Sequence, residues 1–180
     1  MSRVRFALLF TIGLGITTGV VFADDLRHLR HLRAHLRGYQ EVPTLSTSGH
    51  ALFEARINRD GTEVDWQLSY ENTESAVTQA HIHFGARSLN GPVVVFLCTN
   101  GGNGPAGTQL CPPAPATVVG TFSAADVLGN AAGQGLEAGN LEEFIAAIRA
   151  GATYANVHTS GRPAGEVRGQ ISAHDARRNH

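Results

Sequence analysis

Two histidines one residue apart, and a third far along the chain, are the residues here whose types and spacing could do chemistry. In Val77-Thr78-Gln79-Ala80-His81-Ile82-His83-Phe84, apolar and polar residues alternate. On a strand this turns Ala80, Ile82 and Phe84 toward a core and leaves His81 and His83 on the opposite face, with backbones roughly 6.5 to 7 Å apart. That is a chelate geometry, because two imidazoles at this separation can close onto one cation. Tyr154-Ala155-Asn156-Val157-His158-Thr159 alternates as well and puts Tyr154, Asn156 and His158 together. In Gly165-Glu166-Val167-Arg168-Gly169-Gln170-Ile171 the polar side carries Glu166, Arg168 and Gln170. If these strands share a sheet, three histidines, an arginine, a glutamate and a tyrosine meet on one face. Two readings follow: a metal site, or a solvated polar face whose histidines hydrogen-bond to loop backbone.

The elements that must position these residues are strands. Segments with β-type composition run over 51–58, 64–70, 76–84, 93–97, 117–122, 153–159 and 165–171, with turn signals at Asp60-Gly61 and Asn90-Gly91. Between 121 and 152 the period changes. Ser123 can cap one short helix, and Asn140 can cap another that contains Phe144, Ile145 and Ile148 and ends at Gly151. An all-β sandwich or barrel of about seven or eight strands with a short helical insertion results. Ahead of it, Leu26, Leu29, Leu32 and Leu36 recur at helical spacing, while Ala34, Leu36 and Gly38 alternate with His35 and Arg37. The expected organisation is a histidine- and arginine-rich arm over 24–33, a domain over 34–172 and a polar tail over 173–180.

Composition narrows the function. The chain has 180 residues, 42% of them hydrophobic and 16% charged, with a formal net charge of -1. This supports one domain with a real core and offers no broad basic surface for nucleic acid. Arg3 and Arg5 precede an apolar run from Phe6 to Phe22 that ends in Val21-Phe22-Ala23, the pattern of a secretory signal cleaved after Ala23. Gly13, Gly15 and three threonines soften the run, so no permanent membrane span is expected. The expected location is the periplasm or the extracellular medium. In such an oxidising compartment the only two cysteines, Cys98 and Cys111, most simply pair with each other. Neither Gly-x-Ser-x-Gly nor Cys-x-x-Cys occurs, which disfavours an α/β hydrolase and a dithiol oxidoreductase.

Several stretches resemble the chordin-type (CHRD) domain family. They are Leu36-Arg37-Gly38-Tyr39-Gln40-Glu41-Val42-Pro43, Ala80-His81-Ile82-His83-Phe84-Gly85, Asn90-Gly91-Pro92-Val93-Val94, and the ending from Tyr154 to Thr159 with Gly161 to Ile171. The resemblance spans about residues 34 to 172 and implies an exported single-domain protein. A more distant resemblance is to the copper-zinc superoxide dismutases, Greek-key barrels that hold copper with a His-x-His strand and a later histidine. It implies copper ligands at His81, His83 and His158, and an anion-guiding role for Arg168. No bridging histidine and no histidine-rich zinc loop is present, so the resemblance implies a mononuclear site.

The expectation is therefore an exported metal-binding protein with copper as the first choice, zinc and iron being open alternatives. Water, His50 or a residue of the arm is the candidate fourth ligand, and Tyr154 or Glu166 a candidate outer partner of the ligands. Superoxide dismutation, with superoxide or another small anion as partner, is the most concrete reaction. The competing classes are a non-catalytic extracellular interaction module and a copper storage or delivery protein.

Overall fold

The computed structural model describes residues 28–175. The expected signal segment, the first residues of the arm and the last residues of the tail lie outside them. The elements are β1 (His31–Arg37), β2 (His50–Ile57), β3 (Glu63–Glu71), β4 (Val77–Phe84), β5 (Val93–Thr99), β6 (Ala116–Ser123), α1 (Leu141–Arg149), β7 (Thr153–Thr159), β8 (Arg162–Gln170) and β9 (Ser172–His174). All pairings are antiparallel, and the strands follow the order β5-β4-β7-β8-β1-β2-β3-β6, with β9 added on β1. The sheet curls so that its end strands β5 and β6 approach, giving a nearly closed Greek-key barrel.

Alternation builds the interior. Leu32, Ala34 and Leu36 of β1, Phe53 and Ile57 of β2, Val64, Trp66 and Leu68 of β3, Ala80 and Ile82 of β4, and Ala155 and Val157 of β7 all belong to one core. Each large apolar side chain so buried contributes about 1.5 to 3 kcal/mol. Helix α1 adds Leu141, Phe144, Ile145 and Ile148 to that core, with Phe144 5.9 Å from Phe122 between ring centroids. Asn140 caps it, its Oδ1 accepting from Glu143 N at 3.1 Å. Ser123 also starts a turn, its backbone N–H donating to Asp126 Oδ2, but this stretch is a single 3-10 turn over Ala124–Asp126.

The gap between β5 and β6 is bridged by the expected disulfide loop. Cys98 and Cys111 are bonded, and Gln109 of the enclosed loop donates to Leu97 O of β5 and Val119 O of β6. One side chain thus spans the seam where ladder hydrogen bonds would otherwise lie.

Both ends of the domain depart from the expectation. The arm does not run to residue 33: His31, Leu32 and Arg33 are already in β1, paired with β2 on one side and β9 on the other. Leu32 and Leu36 sit on the inward face of a strand rather than a helical stripe, because two-residue alternation through Ala34 buries all three. The polar tail likewise starts later than residue 173, since Ala173 and His174 belong to β9.

Candidate metal centre

Strands β4 and β7 are neighbours, with His83 opposite Tyr154, His81 opposite Asn156 and Gln79 opposite His158. Their polar residues therefore share the outer face of the barrel, and His158 lies diagonal to His81. The pairing is irregular around these positions. The β4–β5 register shifts at Ala80/His81 and at Ile82/His83, and the β7–β8 register shifts between Val157 and Thr159. Such bulges re-aim side chains. The three imidazoles converge, with ring centroids 5.6 Å apart for His81–His83, 5.0 Å for His81–His158 and 6.1 Å for His83–His158. One nitrogen from each lies within 4.8 Å of the others. Three nitrogens about 2.0 to 2.1 Å from one ion would be roughly 3.4 Å apart, so a shift of about an ångström closes the site.

This face is covered. His81, His83 and His158 are 3%, 8% and 7% exposed. His83 Nδ1 donates to Gly91 O at 2.9 Å and His158 Nδ1 donates to Pro163 O at 3.0 Å. A carbonyl only accepts, so in both rings Nδ1 carries the hydrogen and Nε2 presents a lone pair. Those two Nε2 atoms and both nitrogens of His81 are buried without a partner. Buried polar atoms are nearly always satisfied, so these orphans make the cluster a candidate ligand site; an ion taking one nitrogen from each ring would engage three of the four. Burial also holds the rings neutral. It lowers His81 to about 3, with His158 and His83 adding to the effect. It lowers His83 to about 4 against the opposing Gly91 hydrogen bond, with His158 and Arg168 adding to it, and lowers His158 too. Neutral imidazole is the form that binds metal.

Aromatic and charged groups brace the rings. Phe96 of β5 packs edge-on to His81 at 4.3 Å. Tyr154 stacks on His83 at 4.6 Å with 5° between planes, and the Arg168 guanidinium carbon lies 3.4 Å from the Tyr154 centroid. Two groups this close cannot share one face of a ring, so Tyr154 separates Arg168 from His83. Arg168 is 2% exposed and donates to Leu89 O, Ala86 O and Asn90 Oδ1. It thereby holds the 86–91 loop, whose Gly91 carbonyl orients His83. A Cβ at Gly91 would collide with the Phe84 carbonyl, so only glycine lets this loop lie so close to β4.

Not every expected residue arrives. His50 is absent from the group: its Nε2 meets Glu71 Oε1 at 2.7 Å and its Nδ1 meets Ser48 O at 3.2 Å, so both ring nitrogens are engaged on another part of the barrel. Tyr154 does contact a histidine. Glu166 does not: fully buried, it accepts from Thr47 Oγ1, Glu74 N and Thr159 Oγ1 and ties the loops around β8 together. The outer partners of His83 and His158 are instead backbone carbonyls. Glu41 was not anticipated. It is buried, receives Asn156 Nδ2 at 3.4 Å, and burial raises its carboxyl to about 7 against the opposing pull of Arg168.

A Greek-key barrel carrying this buried imidazole face and a tethered seam loop is the setting for the comparison with known proteins. The family described as CHRD domain matches residues 32–171, and the chain belongs to that family. No curated protein and no solved structure matches it.

Proposed function

We propose that this CHRD-domain protein is exported and holds one transition-metal ion, copper in the first instance, between His81, His83 and His158. The observation that carries the reading is the set of four partnerless imidazole nitrogens buried at one point. The donors are all neutral nitrogen, which suits copper and zinc and not the oxygen-seeking calcium or magnesium. Copper stands above zinc in intrinsic affinity for such ligands. The disulfide supports an oxidising compartment.

Bound copper would supply one-electron redox chemistry. The chain's own part is to keep three imidazoles neutral, to fix two of them through Gly91 and Pro163, and to exclude water. Superoxide dismutation is the finer reading and requires an anion to reach the site. Its support is the order and type of the three histidines. With Arg168 buried behind Tyr154, that residue is proposed to position the 86–91 loop rather than to meet the anion. Enclosure of the rings favours the second reading, a protein that stores or delivers the ion.

Metal analysis of protein recovered from its export compartment should find close to one copper per chain. His81→Ala, His83→Ala and His158→Ala should each lower occupancy severely, because two imidazoles remain. Full metal content in the triple variant would remove the site, and a metal-free native protein would favour an interaction module. Superoxide turnover no faster than that of free copper would remove the enzymatic reading and leave metal binding in place.

A further inference from the structure

A second pair of histidines lies outside this centre, where the two ends of the domain meet. His31 of β1 and His174 of β9 are direct partners in the antiparallel ladder, so their side chains leave the same face side by side. Their rings are 6.4 Å apart between centroids and 28° from parallel. Both are partly exposed, and neither ring has a hydrogen-bond partner among the described residues. An ion about 2.0 to 2.1 Å from a nitrogen of each ring would leave the centroids roughly 5 to 6.5 Å apart. The pair stands at the upper end of this span, and both side chains must rotate to bring a nitrogen of each to a common point. Among the described residues no carboxylate takes part in the pairing, and the ladder fixes the spacing before any ion arrives.

We propose that His31 and His174 form a second, solvent-accessible site for a divalent transition-metal ion, with water completing the coordination. Two ligands instead of three, with the cationic Arg56 opposite His31 on β2, make it weaker and faster to exchange than the buried centre. Its ion joins the first strand of the domain to the last, so binding there stabilises the fold as well. The site is independent of the reading given to His81, His83 and His158.

The test is calorimetric titration of the metal-free mature chain with zinc(II), alongside thermal unfolding with and without zinc(II). Two classes of binding are expected. His31→Gln and His174→Gln should each abolish the weaker class and its share of the rise in unfolding midpoint, while the tighter class stays. His28→Gln should leave both classes intact. Survival of the weaker class in both His31→Gln and His174→Gln overturns the proposal, as does its absence from the wild-type chain. A weaker class that depends on His31 and His174 in a protein lacking the tighter one upholds this site and removes the buried centre.

Discussion

The outer face of the barrel differs sharply between its two halves. On β1, β2 and β3 the outward residues, among them Arg33, Glu54, Arg56 and Asp65, stand in solvent as a mixed charged surface. On β4, β7 and β8 the outward residues His81, His83, Tyr154, Asn156, His158, Glu166 and Arg168 are buried, and Gln79 and Gln170 beside them are half-buried. Both halves obey the same alternation, and both are polar. What separates them is the cover supplied by the loops around Glu41, Thr47 and Gly91, which costs the desolvation of every group beneath it. Alternation tells which side of a strand faces the core. It does not tell whether the other side is wet.

That contrast can be broken most forcefully at Glu166. Glu166→Ala removes the acceptor of three buried hydrogen bonds and should cost about 3 kcal/mol in urea unfolding. A loss below about 1 kcal/mol would mean that the cover does not depend on it.

Acid should sharpen the contrast with a smaller effect. His81 and His83 titrate at about 3 and about 4 in the fold, against 6.5 when free. Between pH 6.5 and about 4 the unfolded chain therefore takes up protons that the folded chain refuses, and stability falls as pH falls. Glu41 works in the opposite direction: its carboxyl stands at about 7 in the fold and 4.5 outside it, so its contribution is present at low pH and is lost as pH rises to 7. Three depressed imidazoles outnumber one raised carboxyl, so the metal-free protein should lose net stability between pH 6.5 and 4. Glu41→Gln should steepen that loss by removing the opposing group. Urea midpoints measured across this range check both statements, and a flat profile in both proteins would contradict them.

The smallest effect is expected on the open half. Arg33 and Glu54 are 3.6 Å apart with side chains 45% and 47% exposed, so Glu54→Ala should change stability by less than about 0.5 kcal/mol. A larger change in thermal unfolding would show that the two halves differ less than their burial suggests.

Strands β2 to β8, the cysteine pair and the Asn140 cap were legible in the sequence because each is a local pattern, whereas β9 and the start of β1 were not. His81 with His83, and Tyr154 with His158, were legible as faces for the same reason. What places those faces together is the β4–β7 register, which leaves no mark in either segment alone. His50 shows the cost: a histidine near a strand start looks like any other until register sends it to Glu71. The leucines at 26, 29, 32 and 36 satisfied helical spacing, but β9 supplies a partner from the far end of the chain and fixes residues 31–33 as strand. Glu41 and Phe96 matter through burial and contact, which neither the stretch 36–43 around Glu41 nor the apolar run around Phe96 displays.

The β1–β9 ladder has a consequence for how the domain can be connected. Entry at His31 and exit at His174 are ladder partners, so the backbone enters and leaves at points about 4.5 to 5.5 Å apart. The path is nearly a closed ring. Such a unit can be set into a surface loop of a host, or have its ends joined by a short linker and new ends opened elsewhere, without stretching a strand. The natural ends are then an address on the ring more than a requirement of the fold.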